Sequence, residues 1–433
     1  MNNVDIIIIG AGAAGLAAGR ELSKAGKKVF LLEAQNRIGG RIHTITVPGF
    51  SMYLEAGAEF IHGEMPVTQS LLNEAGIPYF KTKGNYYNIR NGKFLDPETN
   101  NSDFSTLYEK AALLRNDLPF AEFLNQYLNE DKYKIIRETA QRFAEGYDIA
   151  DVKKVSTFAL LEEWKDFGQS ESYHIKGGHI KLAEFLSNEI KKHGSEILLS
   201  TIVKEIRWKK GNVEVVDSKG NIFSASKVLI TVPLGILQSN PTEKAYINFS
   251  PSLPEKLNAA KSIGYGTVIK VFFEFKNAFW ESSENNIRAT PELSMLISDT
   301  PFNAWWTQLP DKVPLLTGWL AGPKAEQNKN KSEDEIIQLA FDSLSYIFNT
   351  NRTFLEKNLV AKKVVNWQTD PYSLGAYSYA TVNSNEAKKI ITKPVEGTIF
   401  FTGEALSDGI NMATLEEALN NGIKTAKEIL SGY

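Results

Sequence analysis

The chain has 433 residues, of which 42% are hydrophobic and 23% charged, and its 48 basic and 51 acidic side chains give a formal net charge of −3. This composition excludes a collagen-like, low-complexity or disordered chain, and the lack of a basic excess argues against nucleic acid as a partner. The chain has no cysteine, which excludes disulfide bonds, thiolate metal ligands, cysteine nucleophiles and thioether links to a cofactor.

The longest uncharged apolar stretch near the start covers residues 6–19. A signal peptide would place a basic region before such a stretch, whereas Asp5 precedes it here. The stretch is also rich in glycine and too short to cross a bilayer. We therefore expect a cytoplasmic protein without a signal peptide, a transmembrane segment or a membrane partner.

The first predicted elements form a strand–turn–helix–strand unit of about 30 residues. The β-branched run at 4–9 is typical of a strand buried on both faces. A glycine-rich turn at 10–15 follows directly, and residues 16–25 are rich in small side chains and predict a helix. A second strand at 29–32 then ends at Glu33. This order of elements predicts an α/β domain that binds a dinucleotide.

The three glycines of this unit and the glutamate that ends it each have a distinct role in dinucleotide binding. Gly10 permits the tight turn, Gly12 lets backbone N–H groups approach a pyrophosphate, and Gly15 lets the helix pack close to the strand. The helix N-terminus then faces the phosphates with its partial positive charge. Glu33 lies where a carboxylate accepts hydrogen bonds from ribose hydroxyls. The alternative is a packing turn that binds no ligand.

The loop after Glu33 introduces a resemblance to a known family. Arg37-Ile38-Gly39-Gly40-Arg41 places two cations and two glycines just beyond Glu33-Ala34, which suits a loop that folds over a diphosphate. The two segments together resemble the flavin-containing amine oxidase family, which includes monoamine oxidases, polyamine oxidases and lysine-specific histone demethylases.

Further segments resemble the family in the same order along most of the chain, with the weakest similarity between about residues 94 and 172. These segments are Leu54-Glu55-Ala56-Gly57-Ala58-Glu59-Phe60-Ile61-His62-Gly63, Gly177-Gly178-His179, Pro233-Leu234-Gly235, Trp367-x-x-Asp370-Pro371-x-x-x-Gly375-Ala376-Tyr377 and Phe401-Thr402-Gly403-Glu404.

The resemblance implies FAD as the cofactor and a set of residues that contact it. The implied contacts are Gly10, Gly12, Ala13, Ala14, Gly15, Glu33, Ala34, Gly39, Gly40, Arg41, Gly57, Ala58, Glu59, Phe60, Val203, Gly403, Glu404, Thr414 and Leu415.

The resemblance also implies two interleaved domains, which agrees with the two or three domains expected for this length. A Rossmann-like FAD-binding domain with a glutathione-reductase-like parallel sheet would come from residues 1–80, 178–250 and 398–433. An α+β substrate-binding domain would come from 81–177 and 251–397, with a helical subdomain at about 100–170.

Local patterns predict several elements of the substrate-binding part. Asn91-Gly92 between two short apolar runs predicts a β-hairpin. Residues 103–150 are rich in Ala, Leu, Glu and Lys and predict helices, whereas 267–275 and 315–321 predict strands. The Lys/Asn/Glu run at 324–335 predicts an exposed turn before a helix.

Lys270 lies inside the apolar run at 268–273. Lysine is almost never buried without a partner, so pattern alone leaves a strand-edge or snorkelling lysine equally open. The resemblance implies that Lys270 is the family lysine that holds a water next to flavin N5. We expect Lys270→Met to keep FAD bound and to slow flavin reduction or reoxidation.

Tyr377 follows Ala376 at the position where monoamine oxidases carry the cysteine that bonds to the flavin. Because this chain has Ala376 and no cysteine, we expect FAD to be bound non-covalently. By family analogy, Tyr377 forms one wall of an aromatic pair that guides the amine; an ordinary buried aromatic is the alternative.

Four other residues are assigned to the substrate site with open alternatives. Thr414 stands where monoamine oxidases carry a second cage tyrosine. In having threonine at this position, the chain resembles the polyamine oxidases of animals and the histone demethylases. Ile61-His62-Gly63 resembles the polyamine oxidase form, in which the histidine lines the substrate site, although a structural role for His62 is open. Glu59 would attract a second ammonium group or contact the cofactor. Trp305, together with the adjacent Trp306, lines the pocket or belongs to the core and an interface.

These features imply an FAD-dependent amine oxidase that passes hydride from an amine to flavin N5, giving an imine and then an aldehyde, with dioxygen reduced to hydrogen peroxide. The partners would be a small amine and dioxygen, and the protein a monomer or homodimer. No metal site is expected, because the five histidines show no metal-ligand spacing.

Three alternatives remain open at this point. An L-amino acid oxidase of the same fold would need a cation for the substrate carboxylate, and Arg288 or Arg352 lies in the right region. An FAD-dependent desaturase shares the N-terminal fingerprint but fits Lys270 and the Gly-Ala-Tyr segment less well. A non-enzymatic flavoprotein or corepressor-like module lacks a supporting extra domain or basic tail.

Overall fold

The computed structural model describes residues 3–95, 104–165, 171–284, 287–408 and 412–432. Its strands are β1 (Asn3–Ile9), β2 (Val29–Leu32), β3 (Thr44–Ile45), β4 (Leu54–Glu55), β5 (Ile61–His62), β6 (Tyr79–Lys81), β7 (Asn85–Arg90), β8 (Lys93–Phe94), β9 (Ser172–Ile175), β10 (Glu196–Leu198), β11 (Val203–Lys209), β12 (Asn212–Asp217), β13 (Ile222–Ile230), β14 (Asn248–Ser250), β15 (Gly264–Tyr265), β16 (Val268–Phe275), β17 (Leu293–Ser298), β18 (Ala304–Trp306), β19 (Leu315–Ala321), β20 (Leu359–Asn366), β21 (Ser378–Tyr379) and β22 (Ile399–Phe401). Its α-helices are α1 (Ala13–Lys24), α2 (Pro66–Glu74), α3 (Ser105–Ala111), α4 (Phe120–Tyr127), α5 (Lys134–Gly146), α6 (Thr157–Trp164), α7 (Ile180–Lys192), α8 (Leu234–Leu237), α9 (Pro254–Ala260), α10 (Gly322–Asn328), α11 (Glu333–Phe348), α12 (Arg352–Asn358), α13 (Ser384–Thr392) and α14 (Leu415–Leu430).

The larger sheet has the strand order β10-β2-β1-β13-β12-β11-β14, and β22 also pairs with β13. Strand β1 lies between β2 and β13 and runs parallel to both. Residues 6–9 are fully buried, which confirms the predicted strand covered on both faces and the α/β fold class. The carboxyl ends of these parallel strands share one edge, which is where open α/β sheets bind ligands.

Helices cover one face of this sheet. Helix α1 packs against α14 and α7, and the shared core includes Leu16 of α1, Leu186 of α7 and Leu419 of α14. Helix α7 begins directly after Gly177-Gly178-His179, one of the segments that resemble the family. Burial of apolar surface stabilises such packing by about 25 cal/mol per Å², so these contacts hold α1 in a fixed position above β1.

Gly15 brings α1 close to the turn that precedes it. A Cβ atom at this position would lie 2.0 Å from the carbonyl oxygen of Gly10 and 2.8 Å from Oγ1 of Thr231. Only glycine therefore lets the first turn of α1 sit on the end of β1, which is the packing task predicted for it.

The second large sheet has the order β20-β16-β19-β18-β17-β7-β8. The strands predicted at 267–275 and 315–321 are confirmed as β16 and β19, which pair with each other. The hairpin predicted at Asn91-Gly92 is confirmed by the antiparallel pairing of β7 with β8. Strand β16 has neighbours on both sides, so a side chain in it is interior to the sheet.

Helices α3 to α6 form a separate apolar core that includes Phe120, Phe123 and Trp164. Helices α3 to α5 confirm the helices predicted within residues 103–150, while 100–103 and 166–170, which belong to the predicted helical subdomain, lie outside the described residues. The prediction of an exposed turn at 324–335 is wrong in its first half, because residues 322–328 form helix α10 and α11 begins at Glu333.

The two sheets draw their strands from different parts of the chain. The first uses residues 3–32, 196–250 and 399–401, and the second uses 85–94 and 268–366. The domain boundaries themselves stay a prediction. Within the described part of the chain, no helix combines the length and apolar character needed to cross a bilayer.

Candidate active site

One large cavity lies between the two sheets and the α3–α6 helices. Its volume is about 2270 Å³, several times that of a pocket for a small ligand alone. At one end it reaches Gly10 and Gly12 at the carboxyl end of β1, and at the other it reaches β16, α5 and α6. The space can hold an extended dinucleotide and a second molecule.

All but one of the residues predicted to contact FAD line this cavity. The lining residues from that set are Gly10, Gly12, Ala13, Ala14, Glu33, Ala34, Gly39, Gly40, Arg41, Gly57, Ala58, Glu59, Phe60, Val203, Gly403, Glu404, Thr414 and Leu415. Gly15 is the exception and requires a correction. It packs beneath the turn rather than facing the cavity, because the space beside its Cα is filled by Gly10 and Thr231.

The dinucleotide end of the cavity offers backbone donors and a carboxylate. Gly12 is the N-cap of α1 and brings no side chain to bond its first N–H groups, which leaves them available to an anion. The Glu33 carboxylate accepts the N–H groups of Ala11 and Gln35, each at 2.8 Å. Burial raises the pKa of Glu33, and these two hydrogen bonds oppose that effect.

An ion pair joins the N-terminal loop to the C-terminal part of the cavity wall. Arg41 donates to Glu404 Oε1 at 2.6 Å and to the carbonyl of Ala376 at 2.8 Å. The second carboxylate oxygen of Glu404 accepts from the Ser378 hydroxyl at 2.5 Å. Glu404 is buried, so hydrogen bonds from Arg41 and Ser378, in place of water, stabilise its negative charge.

Gly57 is needed where the segment at 56–58 lies against the loop at 41–43. A Cβ atom on Gly57 would lie 1.9 Å from the carbonyl oxygen of Arg41. The neighbouring N–H groups of Ala56 and Ala58 donate to the carbonyls of His43 and Arg41. The segment at 56–58 is therefore fixed to the loop at 41–43 by backbone contacts alone.

Lys270 is 1% exposed in the interior of β16, so the strand-edge and snorkelling alternatives are wrong. Its ammonium donates to the carbonyl of Glu55 at 2.6 Å, to that of Gly57 at 3.2 Å and to Glu59 Oε2 at 2.8 Å. These bonds tie the second sheet to the segment at 55–59, on the wall of the cavity.

Glu59 is the buried counter-ion of Lys270. Its other oxygen, Oε1, accepts from the indole of Trp306 at 2.8 Å and from the amide of Gln308 at 3.0 Å. Burial alone would raise the pKa of Glu59, but the charge of Lys270 and then that of His174 hold it below the ordinary value. The site therefore contains a buried, fully hydrogen-bonded carboxylate–ammonium pair.

Trp305 requires a correction, because it does not line the cavity. It is fully buried in the core of the second sheet, where its indole donates to the carbonyl of Phe302. Trp306 lines the cavity instead. Adjacent residues of a strand point to opposite faces, and β18 turns Trp306 rather than Trp305 toward Glu59.

Tyr377 and His62 line the cavity together with aromatic residues of α5 and the loop after it. The Tyr377 hydroxyl donates to the carbonyl of Tyr147 at 2.7 Å. His62 Nδ1 lies 3.0 Å from the Ser172 hydroxyl, and its ring stacks on Phe60 with centroids 5.5 Å apart. Thr414 also lines the cavity, and its side chain caps α14 by accepting the N–H of Glu417.

Two carboxyl groups on the cavity wall were missed by sequence reasoning. Asp148 accepts the indole N–H of Trp164 at 3.0 Å, and Glu163 is its closest acidic neighbour. Burial, and then Glu163, raises the pKa of Asp148 well above its ordinary value, and burial raises the pKa of Glu163 to about 7. Both lie in the segment with the weakest family similarity, so no motif pointed to them.

Neither arginine considered as a carboxylate clamp faces the cavity. Arg288 donates to the carbonyls of Tyr346 and Gly92, and Arg352 pairs with Glu356. Within the described ranges, no group of three His, Asp or Glu residues could hold a metal ion.

We expect His62→Gln to leave the pH dependence of substrate oxidation unchanged between pH 6 and 9. Enclosure by the cavity wall lowers the pKa of His62 to about 4, so the ring is neutral over this whole range and has no ionisation to lose. The profile is measured as kcat/KM against pH for both proteins. Loss of an ionisation near pH 7 in the variant would contradict the assignment.

Comparison with protein families gives one match along nearly the whole chain. A family model described as flavin-containing amine oxidoreductase matches residues 13–430. Among curated relatives, lysine-specific histone demethylase 1 homolog 3 of Arabidopsis thaliana is 29% identical over 98% of this chain and 30% of its own length. Lysine-specific histone demethylase 2 of Homo sapiens is 28% identical over 99% of this chain and 53% of its own length. The chain thus spans about a third to a half of these two relatives.

A further relative is matched over most of its own length. Polyamine oxidase 3 of Oryza sativa subsp. japonica is 28% identical over 98% of this chain and 88% of its own length. Among solved structures, putrescine oxidase bound to putrescine has a TM-score of 0.80 at 19% identity, with 99% of both chains covered. Cyclohexylamine oxidase from Brevibacterium oxydans has a TM-score of 0.79 at 19% identity. The two structures establish the same fold.

Proposed function

The chain belongs to the family of flavin-containing amine oxidoreductases, and from that premise we propose that it is an FAD-dependent oxidase of a small primary or secondary amine, with dioxygen as the electron acceptor. The main support is the continuity of the cavity, which joins the Gly10–Gly12 turn to a chamber walled by Lys270 and Tyr377. An amine oxidase needs this continuity, because the reactive ring of the cofactor has to meet the amine far from the pyrophosphate.

The residues present fit FAD. The first N–H groups of α1 would hold the diphosphate, Glu33 would accept from a ribose hydroxyl, and the segment at 57–60 would lie against the ring system. The N-terminus of α14 at Thr414-Leu415 would place its partial positive charge beside the ring carbonyls. FAD, when bound, supplies the two-electron acceptor for the reaction. With Ala376 and no cysteine in the chain, attachment would be non-covalent.

The chamber beyond the flavin position suits a neutral amine. Hydride loss from the α-carbon needs the nitrogen lone pair, so the substrate has to react without its extra proton. Aromatic walls from Tyr147, Tyr377 and Trp306 exclude water, and desolvation disfavours the ammonium form. Glu163, whose pKa lies at about 7, would accept the proton that the bound ammonium loses.

Two observations favour a small amine over the other substrates considered. The polyamine oxidase relative matches over 88% of its length, whereas the demethylases match over 30% and 53% of theirs. An L-amino acid would need a cation for its carboxylate. Arg288 and Arg352 are engaged outside the cavity, and of the arginines that line it, Arg90 pairs with Glu138 and Arg142 donates to Thr139.

We expect the purified protein to show flavin absorption bands that bleach when spermidine, N-acetylated spermine or putrescine is added without oxygen. Readmission of air should restore the bands and release hydrogen peroxide. Bleaching by aromatic monoamines alone would move the substrate to that class, and bleaching by amino acids alone would replace the proposed activity by amino acid oxidation. Absence of a flavin band after incubation with FAD would overturn the proposal.

A further inference from the structure

Helix α2 is capped at its N-terminus by a residue from the other end of the chain. Its N-cap residue is Met65, which makes no side-chain hydrogen bond to the first turn. The carboxylate of Glu416, in the first turn of α14, takes that place. Glu416 Oε1 accepts the N–H of Val67 at 2.8 Å, and Oε2 accepts the N–H of Thr68 at 2.8 Å and its hydroxyl at 2.6 Å. Glu416 thus satisfies N–H groups that a helix cannot pair internally, although it lies 348 positions beyond Thr68.

The carboxylate of Glu416 depends on these three donors. Glu416 is 4% exposed and Thr68 is fully buried, so the hydrogen bonds replace those that water would make. Hydrogen bonds to an ionised group are stronger than those between neutral groups. The partial positive charge at the start of α2 adds to them, because it stabilises an anion. Glu416 therefore joins the first turn of α14 to the first turn of α2.

Both helix ends that Glu416 joins belong to the wall of the cavity. Met65, directly before α2, lines the cavity, as do Thr414 and Leu415 at the start of α14. Among the described residues that line the cavity, Glu416 is absent. An acidic side chain that faced the cavity from the first turn of α14 would offset the positive end of its own helix. Because the carboxylate is bound by α2, the N–H groups of α14 keep their effect on the cavity.

We propose that Glu416 is a positioning residue for the cofactor. It holds the N-terminus of α14 against the start of α2, so that the N–H groups at 414–415 face the pyrimidine edge of the flavin. Reduced flavin carries its negative charge at this edge, so the position of α14 sets how strongly that charge is stabilised. The inference rests on the proposed function for its effect on the flavin, whereas the contact between Glu416 and α2 can be tested without FAD.

The first test measures amide hydrogen exchange in the FAD-free protein. In Glu416→Gln the side chain offers one acceptor oxygen to three donors, and its NH₂ group is itself a donor. We expect exchange in a peptide covering residues 65–70 to become about tenfold faster, because a buried N–H group loses its acceptor. Unchanged exchange in this peptide would overturn the contact on which the proposal rests.

Glu74 provides the matched control at the other end of α2. It accepts from Arg20 of α1, and its side chain is 45% exposed. Glu74→Gln removes a carboxylate contact from the same helix and leaves the bonds at its N-terminus intact. Exchange at 65–70 and FAD binding should therefore stay as in the wild type. Equal acceleration in Glu74→Gln and Glu416→Gln would show that any loosening of α2 has this effect, and would count against a specific role of Glu416.

The second test measures the reduction potential of the flavin and the dissociation constant of FAD in the loaded protein. Loss of the Glu416 charge by itself would favour the negatively charged reduced flavin and raise the potential. Displacement of α14 has the opposite sign, because its N-terminus then stabilises that charge less. We expect Glu416→Gln to bind FAD about tenfold more weakly and to have a lower potential. A raised potential with unchanged FAD affinity would overturn the proposal.

Thr68 allows the same measurement without a change of charge. Thr68→Val keeps the size of the side chain and removes the hydroxyl that donates to Glu416, whereas Thr68→Ser keeps the hydroxyl. We expect the potential and the FAD affinity to fall in Thr68→Val and to stay near the wild-type values in Thr68→Ser. The reverse order would show that packing decides instead of the hydrogen bond, and would overturn the proposal. A wild-type protein that binds no FAD would reject the proposed function, while the exchange test still decides whether Glu416 caps α2.

Discussion

Gly15→Ala is expected to abolish FAD retention and to destabilise the protein by about 3 kcal/mol or more. The added Cβ would stand 2.0 Å from the carbonyl oxygen of Gly10, a backbone atom that cannot move away by a change of rotamer. Overpacking of this kind typically costs 1–3 kcal/mol, and more where the main chain has to shift. Any shift would displace the Gly10–Gly12 turn, which lines the cavity directly.

The same helix supplies a control. Gly19 also lies in α1, but a Cβ there would meet only the ends of flexible side chains, Leu31 and Ile190, at 3.0 and 3.1 Å. The better helix propensity of alanine, worth about 1 kcal/mol, offsets this crowding. Gly19→Ala should therefore bind FAD like the wild type and change the unfolding free energy by no more than about 1 kcal/mol. The ratio of flavin to protein absorbance and thermal unfolding measure both variants; retention of flavin by Gly15→Ala would contradict the argument.

Local patterns were sufficient for the N-terminal part of the site. Strand β1, the glycine turn and α1 follow one another within 25 residues, so hydrophobic periodicity and glycine spacing contain the information needed to predict them. Gly15 has the packing role that the glycine spacing predicts, and it acts on the helix that presents the cofactor contacts instead of lining the cavity itself. Spacing predicts that a small residue is needed but does not say which atoms would otherwise collide.

Contacts between distant segments could not be predicted in this way. Lys270 and Glu59 are 211 positions apart, and the residues around each show no charge complementarity that would identify the other. Trp305 and Trp306 illustrate a related limit. Side chains alternate along a strand, so one of the two tryptophans faces the cavity and the other faces the core. Which one faces the cavity depends on the register of β18 against β17 and β19. This register is set by pairing between strands and cannot be predicted from β18 alone.

The part of the cavity wall formed by α5, α6 and the loop between them was the hardest part of the site to predict. Asp148 lies in the loop after α5 and Glu163 near the end of α6, and no sequence motif links two carboxylates at this spacing. Burial raises the pKa of both carboxyl groups, and the neighbouring charge of Glu163 raises that of Asp148 further, which only the packed structure shows. The residues that distinguish substrates within one fold are commonly of this kind, because pocket lining varies while the scaffold is kept.

Arg41→Met is expected to lower FAD affinity strongly and the unfolding free energy by about 2–3 kcal/mol. The substitution leaves the buried carboxylate of Glu404 without its cation and the carbonyl of Ala376 without its donor. Fully buried pairs lose 3–5 kcal/mol when one partner is removed; the value here is smaller because the Arg41 side chain keeps 27% exposure.

Adding Glu404→Gln should separate the two effects of this change. The neutral amide removes the uncompensated charge, so the double variant should regain stability relative to Arg41→Met, as measured by urea unfolding of the FAD-free proteins. FAD affinity should stay low in the double variant, because the loop at 39–41 would still lack its anchor to the C-terminal segment, 363 positions away along the chain. Recovery of FAD binding together with stability would show instead that the charge of Glu404, and not the tether between the two segments, limits cofactor binding. The tether matters in this fold because the dinucleotide end of the cavity is lined by segments from both ends of the chain, and Arg41 is the side chain that joins the glycine loop to both Ala376 and Glu404.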